Sequence, residues 1–257
     1  MVSVKIGKHD VRLYDSIDEL PIGRFHRYQR ALLVDAGVGS DMAAFDQRIE
    51  RARRFLMSGD KEGAQREFDN LRQTVFLIQN GTDTKLLSFA ALVAEIDGRP
   101  CEDLSDEGLR KVCEELSDAP VGEMTARLGA VKKKIDDELS LYFPKLFSDA
   151  GVKEYYDILR RRALAVLEGI ARGEAEPGTT DEVESLTTAL ITYSKPQVFY
   201  GSDGVEVQFD RQFENLCLVL SEQVHVDSKG LTVLEFYNAF DFVLERAREA
   251  EKGRKRA

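Results

Sequence analysis

Between Met124 and Ile170 apolar residues recur every three or four positions. They fall at Met124, Leu128, Val131, Ile135, Leu139, Tyr142 and Leu146 and, after Ser148-Asp149-Ala150-Gly151, at Val152, Tyr155, Leu159, Ala163, Val166 and Ile170. This is the period of one helix face. The spacing predicts two amphipathic helices joined by a short turn, lying antiparallel as the central layer of a helical core.

Toward the N-terminus the period is two. Val2, Val4 and Ile6, then Val11 and Leu13 around His9-Asp10, predict a short strand or hairpin. Ser16-Ile-Asp-Glu19 has capping-box spacing and Pro21 follows, so a helix should open there with Ile22, Phe25, Tyr28, Leu32 and Leu33 on one side and stop at Gly37 and Gly39. A helix from Asp41 is expected to turn Met42, Phe45, Ile49, Ala52, Phe55 and Leu56 inward. The next, Lys61 to Gln79, would bury Ala64, Phe68, Leu71, Val75 and Ile78. Thr84 to Ile96 is apolar nearly all round and is expected to lie in the middle of this N-terminal bundle. Asp97-Gly98-Arg99-Pro100 predicts a turn, and Ser105 a cap for a short helix carrying Leu109, Val112 and Leu116.

Gly173 to Thr180 is the best linker candidate. Asp181 can cap a helix through Leu186, Leu190 and Ile191. Beyond Pro196 a period of two at Val198, Tyr200, Val205, Val207 and Phe209, around Gly201-Ser-Asp-Gly204, predicts a β-hairpin over 197–209. Helix should return from Arg211, and a final helix over 232–252 should open on the capping box Thr232-x-x-Glu235. The expected fold is mainly α, a multi-helix bundle with a central antiparallel helix pair and one or two small β-hairpins. Three parts are expected: residues 1–120, an N-terminal helical bundle with short strands; 121–172, the central pair; and 181–257, an α+β part with the hairpin and final helix.

Composition narrows the class. In 257 residues, 43% are apolar, enough for an ample core. The formal net charge of −10 argues against a general nucleic-acid binder, which needs a basic face. Cys101, Cys113 and Cys217 are few and odd in number, which predicts reduced thiols without a disulfide framework. The first ten residues lack the apolar block of a signal peptide, and the run Leu86 to Ile96 is too short to span a bilayer. A cytoplasmic protein without membrane association is therefore expected.

Candidate chemistry is sparse. His9, His26 and His225 lie in separate segments with no second ligand at metal spacing, so no metal or cofactor is expected. Cys113 and Cys217 sit beside apolar residues and are read as buried, inert thiols. The acidic clusters Asp136-Asp137-Glu138, Glu114-Glu115 and Asp103 with Asp106-Glu107 lie on polar helix sides, where charge is solvated. Neither a phosphate loop nor a nucleophile elbow occurs. No catalytic residue is assigned, and the expectation is that the protein is not an enzyme.

Charge and apolar excess leave one candidate surface. Lys132-Lys133-Lys134 and Arg160-Arg161-Arg162 have acids within helical reach and read as salt-bridged outer faces, with Asp157 to Arg161 in the favourable order. The final helix carries apolar residues over more than one face. Phe236, Tyr237, Phe240 and Phe242, with the basic run Arg254, Lys255 and Arg256 behind them, are the candidate partner-binding residues.

Three segments, VRLYDSIDELPIGRFHRYQRALLVDAGVGSD (11–41), KKKIDDELSLYFPKLFSDAGVKEYYDILRRR (132–162) and LTVLEFYNAFDFVLERAREAEKGRKR (231–256), resemble small helical proteins from the tail-morphogenesis region of tailed bacteriophages. Some of those proteins sit where a tail assembly chaperone is expected, beside the tape measure protein. The resemblance implies a non-enzymatic morphogenesis factor that binds a helical client such as a tape measure protein, in the host cytoplasm. This chain is longer than many such chaperones. That leaves a structural virion protein (tail, neck or baseplate adaptor) as the alternative, ahead of an enzyme or nucleotide-binding regulator. An oligomer is compatible with each.

Overall fold

The N-terminal alternation folds as an antiparallel pair, β1 (Val2–Ile6) and β2 (His9–Leu13), with Val4 opposite Val11. The computed structural model describes residues 1–147, 150–173, 178, 180–193, 196–199 and 201–254. Two further strands, β3 (Val93–Ile96) and β4 (Arg99–Pro100), extend the pair to a four-stranded antiparallel meander in the order β1-β2-β3-β4. Asp97 and Gly98 turn the second hairpin with φ of 50° and 77°, the positive values that a tight two-residue turn requires. Ile6, Val11, Leu13, Val93 and Ile96 are buried.

The apolar stretch Thr84 to Ile96 is therefore not one helix. Helix α4 (Thr84–Leu92) ends where β3 begins. Val93-Ala-Glu-Ile finds an open edge on β2, and Arg24, itself buried, donates to the carbonyls of Ala91 (3.3 Å), Val93 (2.8 Å) and Cys101. One guanidinium thus takes up two carbonyls at the change from helix to strand and a third just past β4.

Helix α1 spans Ile22–Gly37, α2 Met42–Met57, α3 Lys61–Gln79, α5 Asp106–Glu115, α6 Val121–Tyr142 and α7 Pro144–Phe147. Asp41 and Ser105 cap α2 and α5 through side-chain oxygens, as expected. Ser16 does not cap α1. Its hydroxyl and the Ile17 N–H both donate to Glu138 of α6, at 2.9 Å each, a competitor more than one hundred residues away in sequence. The remaining helices are α8 (Ala150–Ala171), α9 (Asp181–Thr192), α10 (Val205–Val224) and α11 (Val233–Arg254). Thr180, one residue before Asp181, caps α9. Helix makes up 71% of the chain, so the mainly-α class with a small sheet is the observed one.

The expected hairpin over 197–209 is absent. Val205, Val207 and Phe209 lie in the opening turns of α10, while Tyr200 lies outside the described residues. Val205 and Phe209 also satisfy helical i, i+4 spacing, which Phe213, Leu216 and Leu220 continue, and three alternating positions could not separate the two periods. Residues 196–199 are held instead by Asn70, whose amide donates to Gln197 O (2.8 Å) and accepts from Phe199 N–H (3.3 Å). Phe199 then lies over Gly37, where a Cβ would come within 1.8 Å of its ring. Gly37 serves this close approach, and Gly39, at φ +72°, turns the chain after α1.

A principal core joins the sheet, α1, α4, α5 and α6 to Cys217 and Leu220 of α10 and to Val233 and Phe236 of α11. The inner face of α6 is the expected one, with Met124, Leu128, Val131, Ile135 and Leu139 buried. The second half of the central stretch differs. Among the described residues α6 lies on α4, whereas α8 lies on α9, which in turn lies on α2. The expected inward residues Leu159, Ala163 and Ile170 are exposed; Val152 and Tyr155 have no described side-chain placement.

Helices α2 and α3 also depart from the apolar pattern. Met42, Ile49 and Leu56 of α2 and Phe68 of α3 are exposed, while α3 buries Glu67, Asn70 and Thr74. Glu67, with no exposed surface, accepts from Arg48 (3.1 Å) and Arg51 (2.5 Å). Arg48 and Thr74 also donate to the carbonyls of Ala36 (2.9 Å) and Val38 (2.9 Å) at the end of α1. A polar seam, each member hydrogen-bonded, thus joins α2 to α3 beside Ala52, Phe55 and Ala64, which are buried as the pattern predicts.

Candidate functional site

Helix α11 begins at a fixed point. The Thr232 hydroxyl accepts from Glu235 N–H (3.3 Å), and Glu235 accepts from Thr232 N–H (2.9 Å), the reciprocal bonds of a capping box. Around that cap, Ile22 N–H donates to Leu231 O, Val233 N–H to Leu20 O and Leu234 N–H to Ile17 O, each at 2.9 Å. The first turn of α11 is thereby tied to the chain that leads into α1. Gly204 opens α10 and His225, in the left-handed region, closes it, so that α10 runs past the same end of α1.

Where α1, α10 and α11 meet, a cavity of about 170 Å³ opens, lined by Ile22, Phe25, His26, Gln29, Phe209, Gln212, Phe213, Leu216, Phe236 and Tyr237. Its size is near that of a ~150 Å³ apolar cavity able to take benzene, so one large apolar side chain fits. The walls are aromatic. Phe213 lies 6.2 Å from Phe236 between ring centroids, and Phe236 meets Tyr237 edge-on at 5.6 Å. Tyr237 also packs on Phe143 and Phe147, and burial pushes its hydroxyl up to about 12.

His26 supplies the polar element. Its ring stacks on Phe213 at 4.0 Å and Phe209 at 4.7 Å, and its Nε2 lies 2.7 Å from Asp210 Oδ1. Burial lowers the imidazole below its ordinary range, an effect that the Asp210 carboxylate partly opposes. The ring is accordingly neutral near pH 7, and its N–H donates to the carboxylate.

Of the residues singled out in the sequence, the structure brings Phe236 and Tyr237 into this cavity. Phe236 is 1% exposed, so it is a core wall and offers no open surface of its own. Phe240 is half-buried against the core. Phe242 is 54% exposed and carries Arg246 over its ring at 5.6 Å. Arg254 is the last residue of α11, and Lys255 and Arg256 lie outside the described residues. His26 and Asp210 are 184 positions apart in sequence, and no spacing could have joined them.

A second, larger cleft of about 350 Å³ runs between α1, α3, α4 and α5. Arg30 on its wall pairs with Glu206 (2.8 Å) and Asp106 (3.1 Å), and Arg27 approaches Asp106 at 3.6 Å. The cleft therefore neutralises its own cations. Elsewhere His9, Asp97 and Glu115 place ligand-type atoms within 4.8 Å of one another, a convergence that the separate segments did not reveal. There Asp97 already accepts from His9 Nδ1 (2.6 Å) and Asp10 N–H (2.9 Å), and Glu115 is paired with Arg99. Of the two thiols expected to be buried, Cys217 is buried and Cys113 half-buried; burial raises Cys101 and Cys217 and pushes Cys113 up to about 12. Among the described residues no helix is long and apolar enough to cross a membrane.

Compared with protein-family models, curated proteins and solved structures, the chain shows no significant match to any of them.

Proposed function

We propose that the chain is a non-enzymatic, tail assembly chaperone-like factor that holds a helical client, such as a phage tape measure protein, by an apolar anchor residue in the α1–α10–α11 cavity. The observation that carries this reading is the cavity itself: an aromatic socket sized for one side chain, walled in part by the residues of α11 that the sequence marks as an apolar excess. Recognition of an amphipathic helix commonly rests on a few apolar anchors entering such pockets. Gln29 and Gln212 supply polar groups beside the aromatic walls, and the resemblance of 231–256 to tail-morphogenesis proteins supplies the class of client.

Co-expression with the tape measure protein of the same gene cluster tests the reading. Wild type should raise the soluble yield of the client and purify with it. Gln212→Trp, which adds bulk at an exposed cavity residue, should do neither while melting like wild type. No complex and no gain in client solubility with wild type would sink the proposal.

A further inference from the structure

Helix α2 is covered on two sides and bare on the third. Arg48 reaches Glu67 of α3 (3.1 Å), Phe55 lies against Gly63 of α3, and Arg54 reaches Glu184 and Thr188 of α9. The bare side carries Met42, Ile49 and Leu56, which are 61%, 45% and 52% exposed. At ~100° per residue these three fall within about 40° of one another around the helix. Asp46 and Arg53, both exposed, fall on one edge of that stripe, within about 80° of all three. Phe68 of α3 is exposed as well. It follows Glu67, which Arg48 and Arg51 hold, so it is level with the middle of α2. The Asp46 carboxylate has no hydrogen bond or ion pair among the described residues. Arg53 gives its Nε (3.0 Å) and Nη2 (3.4 Å) to Glu50, an exposed pair that leaves Nη1 without a partner among the described residues.

We infer that α2 pairs antiparallel with α2 of a second copy of this chain, about a twofold axis at Ile49. The stripe is evenly spaced around that residue: Met42 lies seven positions before it and Leu56 seven after. An antiparallel pair therefore sets Met42 against Leu56 of the second copy and Ile49 against its own counterpart. The edge bearing Asp46 and Arg53 meets the same edge of the second copy, run backwards. Asp46 then comes within one residue, ~1.5 Å of rise, of facing Arg53 across the axis, a contact made twice. A parallel pair in register would instead set Asp46 level with Asp46 and Arg53 level with Arg53. An unrelated helix covering the stripe gives no reason for opposite charges three positions before and four after its midpoint; a second α2 does.

The expected strength follows from size. A helix of 16 residues is ~24 Å long. Even with Phe68 at its side, pairing along it buries less than the ~800 Å² per partner of a stable complex. The dimer is weak and concentration-dependent. Helix α2 lines no part of the α1–α10–α11 cavity, so dimerisation and client binding fail separately.

Sedimentation equilibrium of the full chain over rising concentration should show the mass moving from one chain toward two. Ile49→Glu should hold it at one chain while its melting temperature at low concentration stays that of wild type. Asp46→Arg and Arg53→Glu should each weaken association about tenfold by facing like charges. An equal mixture of those two variants, or one chain carrying both changes, should restore it, because every cross-pair then joins opposite signs. A single chain at ~100 μM protein would overturn the proposal and leave the stripe to a different molecule. So would a dimer that survives Ile49→Glu, or a mixture no stronger than either variant alone. If Ile49→Glu loses its helical signal, the charge variants, which alter exposed positions only, still decide.

Discussion

Helices α6 and α8 have the same length, 22 residues, and the same three-and-four spacing of apolar residues, yet only on α6 is that spaced face buried. Around α6, α4 packs on one side, while Phe143 and Phe147 just beyond its end carry the contact to Tyr237 of α11. Its polar positions are engaged as well: Lys132 with Asp136 (2.6 Å), Lys134 with Asp15 (2.7 Å), and Glu138 with Ser16 and Ile17. On α8 the stripe is open, and Asp157 and Arg161 have no partner among the described residues. The difference teaches that a hydrophobic period specifies which side of a helix seeks cover, not which chain provides it.

The largest effect expected from this contrast comes from placing the same substitution on both helices. Leu139 is 3% exposed, so Leu139→Asp buries an unpaired charge and should cost about 4 kcal/mol or more, abolishing the cooperative melt. Leu167 is 60% exposed, so Leu167→Asp should change monomer stability by no more than ~0.5 kcal/mol. Thermal melts followed by circular dichroism at low protein concentration separate the outcomes. Equal losses at both sites would show that α8 is as much a part of the core as α6.

Next in size is the polar seam. Glu67→Ala strands Arg48 without its carboxylate and should cost ~3–5 kcal/mol in urea unfolding. Glu168→Ala on exposed α8 should cost under ~1 kcal/mol, since its bond to Arg172 is a surface pair at 3.5 Å.

The seam also marks where the sequence stopped being informative. The face of α6 was legible because its buried residues are apolar. That of α3 was not, because Glu67, Asn70 and Thr74 are buried while Phe68 and Phe76 are exposed. The capping box at Thr232 was legible because both halves are local. Ser16-x-x-Glu19 has the same spacing but loses its serine to Glu138, a contact no local rule contains. The cavity was legible by half: the apolar excess of α11 pointed to Phe236 and Tyr237, and nothing pointed to His26 with Asp210. A histidine next to Phe25 on an inward helix face was the available hint, and it carries no partner with it.

A smaller loss is expected at Gly37. A methyl group there must displace the Phe199 ring, so Gly37→Ala should cost ~1–3 kcal/mol, read from the urea midpoint. The pH response of His26 should be smaller again. Its folded pKa lies below the unfolded value of 6.5, so below that pH the unfolded chain binds the proton more readily. This contribution is therefore intact above pH 6.5 and is lost as the pH falls toward the folded value. The melting temperature should drop over that window in wild type and drop less in His26→Gln; equal slopes would remove His26 as the cause.

The smallest effect tests the quality of the covered region itself. Tyr28 is 2% exposed and packs beside Phe25, but its hydroxyl has no hydrogen-bond partner among the described residues. Burial, with the negative charge of Asp136 adding to it, raises its pKa, so the group stays a neutral phenol. An unsatisfied buried hydroxyl carries a desolvation cost with no bond to offset it. Tyr28→Phe removes the oxygen and keeps the ring, so stability should stay level or rise by up to ~1 kcal/mol, opposite in sign to Leu139→Asp in the same core. A clear loss on Tyr28→Phe would mean that the hydroxyl is satisfied in solution, and that this part of the core holds a water molecule.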